Sequence, residues 1–578
     1  MRGREEIGEL KTKVSIFLSL ILAVALLFAP FPKAQASTVE IDPLLSVALE
    51  TATSDTVHTV ILTYASKPTD VDVQKLKSLG LKTVTFKHLP MVAVQGTKEA
   101  IQKAFSIEGL SSIYFNKKLD YLLKDSAPYI GADRVWNELG YTGKGVTVAV
   151  IDSGIDAAHP DLALGTKTIQ NVKFLTGNLI FDGEPVYLEN VPNTDTSSGH
   201  GTHVAGTIAG TGTASVGTYK GMAPDAKLVG LGTGDALFIL WALEAFDYAI
   251  DHKDQYSIQV ISNSWGTTGE YSPNDPINVA SKAAHDAGMI VVFAAGNEGP
   301  DANTLSPYSV APWVIGVAAG TNDGKLADFS SRGIEADPLY HPTLTAPGVD
   351  IVSARASTGS TINALTAKKD ATHIPPEYLA YYTTASGTSM ATPHISGVVA
   401  LMLEAKPGLH PDVVKDVLVR TATPMPGYKE FEVGAGYVNA YNAVVKAKKT
   451  SIKRGQYKDR KTGKVYPTYF ETDTWTGTVG PSIAETSIES KDLHTYDIHG
   501  NAVSTVVKIE WTTPGVDLDL YVYDPNKQLA GKSAQSLTVT EETTIPDPAY
   551  GTWTVETRGW LSAVEPYTGT ATIEYVLR

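Results

Sequence analysis

Between Ser126 and Val445 short apolar runs alternate with longer stretches of helical spacing. This alternation restricts the possible folds more than any other feature of the chain. Val146–Ile151, Ile258–Ser262, Ile290–Ala294 and Trp313–Ala318 read as strands, while Ala236–Ile250, Asn274–Ala287 and Ile395–Ala405 have the apolar spacing of helices. Strands joined through helices pair in parallel, because each helix is a right-handed crossover that returns the chain to the same end of the sheet. The strands are apolar at nearly every position, which places them beneath cover on both faces. The expected fold is α/β, a mostly parallel sheet with helices on both sides.

The chain has 578 residues, enough for three or four such units, and its flanks read differently. From Ser37 to Lys124 the order is strand, helix, strand, then helix and strand again, with Lys82–Phe86 and Met91–Val94 flanking a Pro turn, a small α+β module of ferredoxin-like type. After Val465, Val506–Trp511, Leu518–Tyr523, Trp553–Glu556 and Thr570–Val576 are β-rich and separated by Gly and Pro, as in an all-β sandwich or jelly roll. Nine Lys or Arg residues lie between Lys446 and Lys464, either a solvated linker or an adhesive patch for an acidic surface. At the other end, Lys11 and Lys13 precede a 16-residue apolar run, Val14–Ala29, and then Ala34-Gln35-Ala36. That is the pattern of a secretory signal, and the run is shorter than the roughly 20 residues that span a bilayer. No later stretch approaches membrane length. The expected division is 1–36 signal, 37–124 α+β module, 125–448 α/β domain, and 449–578 basic linker and β domain.

Composition excludes several chemistries. Basic residues number 47 and acidic ones 62, a net charge of −15, which opposes a nucleic-acid partner. There is no cysteine, so disulfides, thiol nucleophiles and thiolate metal sites are absent. A secreted chain without disulfides relies on packing and bound ions.

Three segments carry chemistry. Val148–Gly154 is an apolar strand ending in Asp152-Ser153-Gly154, which sets Asp152 at the carboxyl edge of the sheet, where ligands collect in open α/β folds. His200–Gly206 is a glycine turn entering a helix; His200 suits proton transfer near neutral pH, and His203 reads as a packing residue. A zinc pair at these positions lacks the HExxH pattern and its acid. In Ser386–His394 a serine among small residues opens an apolar helix, whose N-terminus favours negative charge beside Ser389. Pro393 is tolerated there because the first helical turn has no intrahelical donors to lose. The order Asp152, His200, Ser389 is that of the subtilisin type, not of chymotrypsin or the α/β-hydrolases.

Over Ser126–Val445 the chain resembles the subtilases. Asp152-Ser153-Gly154, His200–Gly206 and Gly387–His394 are similar to the family's three catalytic blocks, Ala294–Gly299 to its oxyanion segment, and Gly434–Ala440 to its domain end. The resemblance implies a serine endopeptidase that hydrolyses protein or peptide substrates through an acyl-enzyme. Ser389 would be the nucleophile, His200 its base, Asp152 the group that orients His200, and Asn297 an oxyanion donor. It also implies that Ser264, Trp265, Gly266 and Gly296 wall the primary substrate pocket, Glu298 standing at the rim, and that glycine there leaves room for a large apolar side chain. Leu231–Asp235 departs from the family's opposite substrate-binding strand. Thr166–Ser197 is long for the family, either a rim loop or an inert insertion. An inactive binding protein on this fold is the alternative from another class; it has no need of Asp152, His200, Ser389 and Asn297 together. A secreted esterase on another fold conflicts with the chain order.

By the same resemblance, Ser37–Lys124 is an inhibitory pro-domain, an intramolecular partner of the site, cut off near Leu122–Asp125. Structural calcium is the expected cofactor, with no organic one. Asp161 occupies a frequent calcium-ligand position, although Gly210–Gly217 lacks the companion Asn. In the tail, Asp517 and Asp519 share one face of a strand. They read as calcium ligands, as part of a module for substrate or cell wall, or as solubilising turns.

Overall fold

A computed structural model describes residues 39–41, 43–85, 90–115, 126–175, 186–234, 238–459, 461–483 and 490–577. The signal read at 1–36 and the junction at Leu122–Asp125 lie outside them. The chain divides into two compact units, 1–120 and 121–578. None of the described helices is long and apolar enough to cross a membrane.

In the first unit, Val57–Tyr64, Lys82–Thr85, Met91–Thr97 and Leu110–Phe115 form a sheet with the helices Asp70–Ser78 and Lys98–Ala104 between them. Leu110–Phe115 and Met91–Thr97 flank Val57–Tyr64, and Lys82–Thr85 lies outside Met91–Thr97, the split β-α-β arrangement. Thr69 and Asp72 cap the first helix reciprocally, the Asp72 carboxylate accepting the Thr69 N–H at 2.8 Å. Glu40–Ile41 adds a parallel edge strand and Pro43–Thr51 a helix, neither marked by periodicity.

The second unit is built on one eight-stranded sheet. Its strands are β1 (Thr147–Asp152), β2 (Thr168–Phe174), β3 (Tyr187–Leu188), β4 (Lys227–Gly232), β5 (Ile258–Asn263), β6 (Ile290–Ala294), β7 (Ile315–Gly320) and β8 (Leu344–Pro347). The order is β8-β7-β6-β5-β1-β4-β2-β3, parallel throughout except for β3 against β2. Every residue of β1, β6, β7 and β8 is buried, the physical counterpart of their unbroken apolar sequence. The helices used below are α1 (His200–Ala209), α2 (Ile239–Asp251), α3 (Pro276–Asp286), α4 (Thr388–Ala405), α5 (Pro411–Thr421) and α6 (Ala440–Lys449). β3 belongs to the long segment after Asp152: Tyr187 stacks edge-on against Phe174 and Tyr248 of α2, so part of that segment completes the sheet edge.

The basic stretch 446–464 is not a linker. Lys446–Lys449 ends α6, and Thr450–Lys458 is a strand paired antiparallel with Val465–Val479. Those two strands, with Glu565–Val576, Ala502–Trp511 and Thr540–Pro546, form one sheet of the β region. The other joins Ser482–Ile483, Lys491–Ile498, Gly551–Ser562, Asp517–Tyr523 and Leu529–Ser533. All pairs are antiparallel, and Trp553, Tyr469, Tyr575, Leu518 and Leu520 are among the residues buried in its core. The β region is welded to the α/β region by charge. Lys446 Nζ meets Glu471 at 2.5 Å, and the Arg420 guanidinium lies 4.2 Å above the Tyr575 ring while its Nε donates to Asp416 at 2.6 Å.

Candidate active site

β1 lies at the switch in strand order: the chain leaves it for β2 and β3 on one side, returns to β4 beside it, and then crosses to β5 on the other side and runs outward. The crevice beyond the carboxyl ends of strands forms at such a point, and Asp152 ends β1 there. Its carbonyl accepts the Thr233 N–H at 2.9 Å and the Thr233 hydroxyl at 2.9 Å, which fixes the backbone beneath the side chain. Asp152 Oδ1 lies 2.7 Å from His200 Nδ1 and also accepts the Ser153 N–H at 2.8 Å. The Asp152 side chain is 4% exposed and that of His200 30%, so the pair is dry at the acid and open at the base. Burial works against the imidazolium. The charge and hydrogen bond of Asp152, with Asp195 behind, outweigh it, and the His200 pKa is raised above its ordinary value.

Two glycines let these parts meet. A Cβ on Gly201 would stand 2.2 Å from the Gly154 carbonyl oxygen, and one on Gly154 2.4 Å from the Thr194 backbone. The first turn of α1 also has an anchor that the sequence motifs did not single out, Asp195. One carboxylate oxygen accepts the Gly199 N–H at 2.8 Å and the Ser153 hydroxyl at 3.1 Å. The other accepts the Thr202 N–H at 3.0 Å and its hydroxyl at 2.6 Å. Asp195 is thus an N-terminal cap supplied from outside the helix, satisfying donors that no intrahelical carbonyl can reach. An acid a few residues before the histidine block was the signal available in the sequence.

Ser389 is the second residue of α4, whose N-terminus points its free N–H groups at the same edge. Its hydroxyl donates to the Ser264 carbonyl at 2.7 Å, so it must rotate before it can donate to a base. Pro393 is not in the first turn, as the sequence reading had it, but is the sixth residue of the helix. Lacking an N–H, it cannot bond the carbonyl four residues back, that of Ser389.

Asn297 follows β6 and faces α4. Its Oδ1 accepts the Thr388 N–H at 2.9 Å and the Thr388 hydroxyl at 3.0 Å. With the carbonyl end so held, the amide N–H₂ is the free end. The Thr388 hydroxyl in turn accepts the Gly296 N–H at 3.2 Å, a positioning role that the sequence reading left out.

Beside Ser389 opens a pocket of about 160 Å³, lined among others by Trp265, Gly266, Ala294, Gly296 and Asn297. Glu298 lines it as well. The Trp265 indole serves the core: it donates to the Ile151 carbonyl at 2.8 Å and packs against Phe293 and Tyr308. Both glycines line the pocket and back onto a serine. A Cβ on Gly266 would strike Ser306 Oγ at 2.5 Å and one on Gly296 would strike Ser331 Oγ at 2.7 Å, and neither serine lines the pocket. A side chain at either position would have to push the serine behind it aside.

The expected metal ligands divide. Asp161 is buried with both oxygens engaged, Oδ1 by the Ala214 N–H at 2.9 Å and Oδ2 by the Tyr382 hydroxyl at 2.6 Å. With both oxygens taken up by protein donors, it pins a loop. Asp517 and Asp519 are the other expected pair. Asp517 Oδ1 is buried without a partner. Burial first, then Glu541 for Asp517 and Asp517 for Asp519, pushes both carboxyls above their ordinary pKa.

A parallel α/β sheet with an Asp–His pair and a helix-borne serine at one carboxyl edge defines a serine hydrolase. Comparison with known proteins narrows the class. The profile of the Subtilase family matches residues 143–447. Serine protease AprX of Bacillus subtilis (strain 168) is 34% identical over 391 residues, 64% of this chain and 83% of its own length. Subtilisin E of the same organism is 37% identical over 310 residues, 53% of this chain and 67% of its own. The solved structure of Sphericase superposes with a TM-score of 0.41 at 27% identity, covering 52% of this chain and 92% of that one. The chain belongs to the subtilase family and is a subtilisin-like serine endopeptidase.

Proposed function

We propose that Ser389, His200 and Asp152 form the catalytic triad of a secreted endopeptidase made as a self-processing precursor. The observation that carries this reading is the 2.7 Å contact between Asp152 Oδ1 and His200 Nδ1, which directs the Nδ1 proton to the carboxylate and leaves Nε2 as the basic nitrogen. Ser389 Oγ attacks the scissile carbonyl carbon as its proton passes to His200 Nε2. The oxyanion is met by the Asn297 amide and the Ser389 N–H, two donors held in place before charge develops. His200 then protonates the leaving amine, and water releases the acyl group by the same steps in reverse. Trp265, Gly266 and Gly296 supply the primary pocket, while Ser264 takes part through its carbonyl on Ser389 Oγ, and the pocket's small volume suits one apolar side chain.

The signal-like start supports export. The 39–115 module has the placement of an inhibitory pro-domain, which would act as the site's own first partner. Asp517 and Asp519 are the donors we assign to calcium, an ion that would relieve their mutual repulsion and brace the β region. That region's exposed Trp560 and Leu561 are where a cell-wall polymer would stack. The test is a time course of purified precursor on a denaturing gel, with calcium or chelator, beside Ser389→Ala. Wild type should lose a fragment ending near residue 124 and begin to hydrolyse casein, while the variant stays whole. Processing of Ser389→Ala at the wild-type rate would overturn the assignment.

A further inference from the structure

Away from the catalytic edge, two imidazoles and one carboxylate converge where the end of α3 meets the start of α5. His285 is in the last turn of α3; His410 precedes α5, and Asp412 is its second residue. Asp412 turns one oxygen toward each imidazole: Oδ1 lies 2.9 Å from His285 Nε2 and Oδ2 lies 3.3 Å from His410 Nδ1. One ligand atom from each of the three residues falls within 4.8 Å of the other two. Zinc holds nitrogen and oxygen at roughly 2.0–2.1 Å, so neighbouring ligand atoms of a tetrahedral site stand about 3.3 Å apart. Both carboxylate–imidazole pairs already have nearly this spacing.

The surroundings also have the order of a metal site. The outer nitrogen of His285, Nδ1, lies 3.1 Å from Asp286 Oδ1, and Lys282 holds Asp286 at 2.6 Å. With an ion on Nε2, the carboxylate on the far nitrogen would keep the N–H on that side and orient the ring. His410 Nδ1 is unprotonated, since it accepts the Asp412 backbone N–H at 3.3 Å, a long helix cap that the ion would replace as the partner of its one lone pair. The nearest lysine along α5, Lys415, gives its ammonium to the Pro312 and Val314 carbonyls at 2.9 and 2.7 Å. A proton can bridge one imidazole to Asp412; a divalent ion bridges both at once. His410 and Asp412 are part-exposed, with side-chain exposures of 30% and 36%, which provides the way in.

We propose that His285, His410 and Asp412 form a site for a divalent transition metal of the zinc class. Three protein ligands leave a fourth position for water, and the ion ties α3 to α5. Two imidazoles and a single carboxylate favour such an ion over calcium, which takes six to eight oxygens.

The test uses the full chain carrying Ser389→Ala, which prevents self-digestion, stripped with chelator and titrated with Zn²⁺ by calorimetry. Co²⁺ provides a spectroscopic probe of the ligand field. The expected result is one site of 1:1 stoichiometry that raises the thermal midpoint and gives the visible bands of four- or five-coordinate cobalt. His410→Gln should abolish that site. Asp286→Asn, which touches no proposed ligand atom and reaches the site only through the outer nitrogen of His285, should weaken it by about tenfold to a hundredfold. Circular dichroism confirms that each variant is folded. Absence of a 1:1 zinc site, the same affinity in folded His410→Gln, or a preference for Ca²⁺ at these residues would overturn the proposal.

Discussion

At the scale of single residues, the oxyanion side of the site rests on one side chain and the group that orients it. Asn297→Ala should lower kcat by about 10²–10³-fold with little change in KM, the loss known when the corresponding donor is removed from subtilisin, a relative of this chain. Thr388→Val removes the hydroxyl on Asn297 Oδ1 but keeps the backbone N–H. It should cost about 1 kcal/mol, roughly a fivefold fall in kcat, measured by steady-state hydrolysis of a peptide anilide. The acid limb of kcat/KM reports His200. Because its pKa is raised and the base must be neutral, activity should fall as pH drops through a value above the 6.5 of an ordinary histidine. Asp152→Asn should move that limb to lower pH and cut the rate by about 10⁴-fold; a limb that does not move would mean that another group titrates. The motif residues were legible because serine, histidine and aspartate stand in long, ordered blocks. Thr388 and Asp195 were not, since their roles depend on which atoms they meet across the fold. The Cβ directions of Gly266 and Gly296 were hidden for the same reason.

At the scale of elements, α1 is held at its first turn by a carboxylate from the preceding segment. Asp195→Ala would leave the Gly199 and Thr202 N–H groups and the Ser153 hydroxyl without their acceptor, and the helix that carries His200 would lose its seat. The expected outcome is a loss of about 2–4 kcal/mol in urea unfolding, with kcat reduced about tenfold or more and KM unchanged. Normal kcat at reduced stability would make Asp195 structural only. The strands and helices of the sheet were readable from the sequence because a parallel strand beneath two layers must be apolar at each position. The short helix Pro43–Thr51 and the paired strand Thr450–Lys458 were not. Thr450–Lys458 is largely exposed, so no alternation of apolar residues marks it, and its lysines and arginine imitate a linker. Pro393 was misplaced by little more than a turn, because a proline inside a helix is tolerated only where neighbouring packing compensates, and packing is not written in the local sequence.

At the scale of the whole molecule, the α/β and β regions of the second unit share a buried charged junction. Glu471 is 3% exposed, and burial pushes its carboxyl above the ordinary pKa against the pull of Lys446. Lys446→Met should destabilise the unit by about 3–5 kcal/mol by stranding that acid, while Lys446→Met with Glu471→Leu should recover most of the loss. Urea titrations with probes in each region would show the two melting together in the wild type. The account stands or falls, however, on the nucleophile. The most direct measurement is labelling of the purified protease with a fluorophosphonate, followed by peptide mapping in a mass spectrometer. The expected result is one adduct on Ser389, formed in wild type and lost in His200→Ala. A stoichiometric adduct on any other serine, or equal labelling of Ser389 without His200, would contradict it.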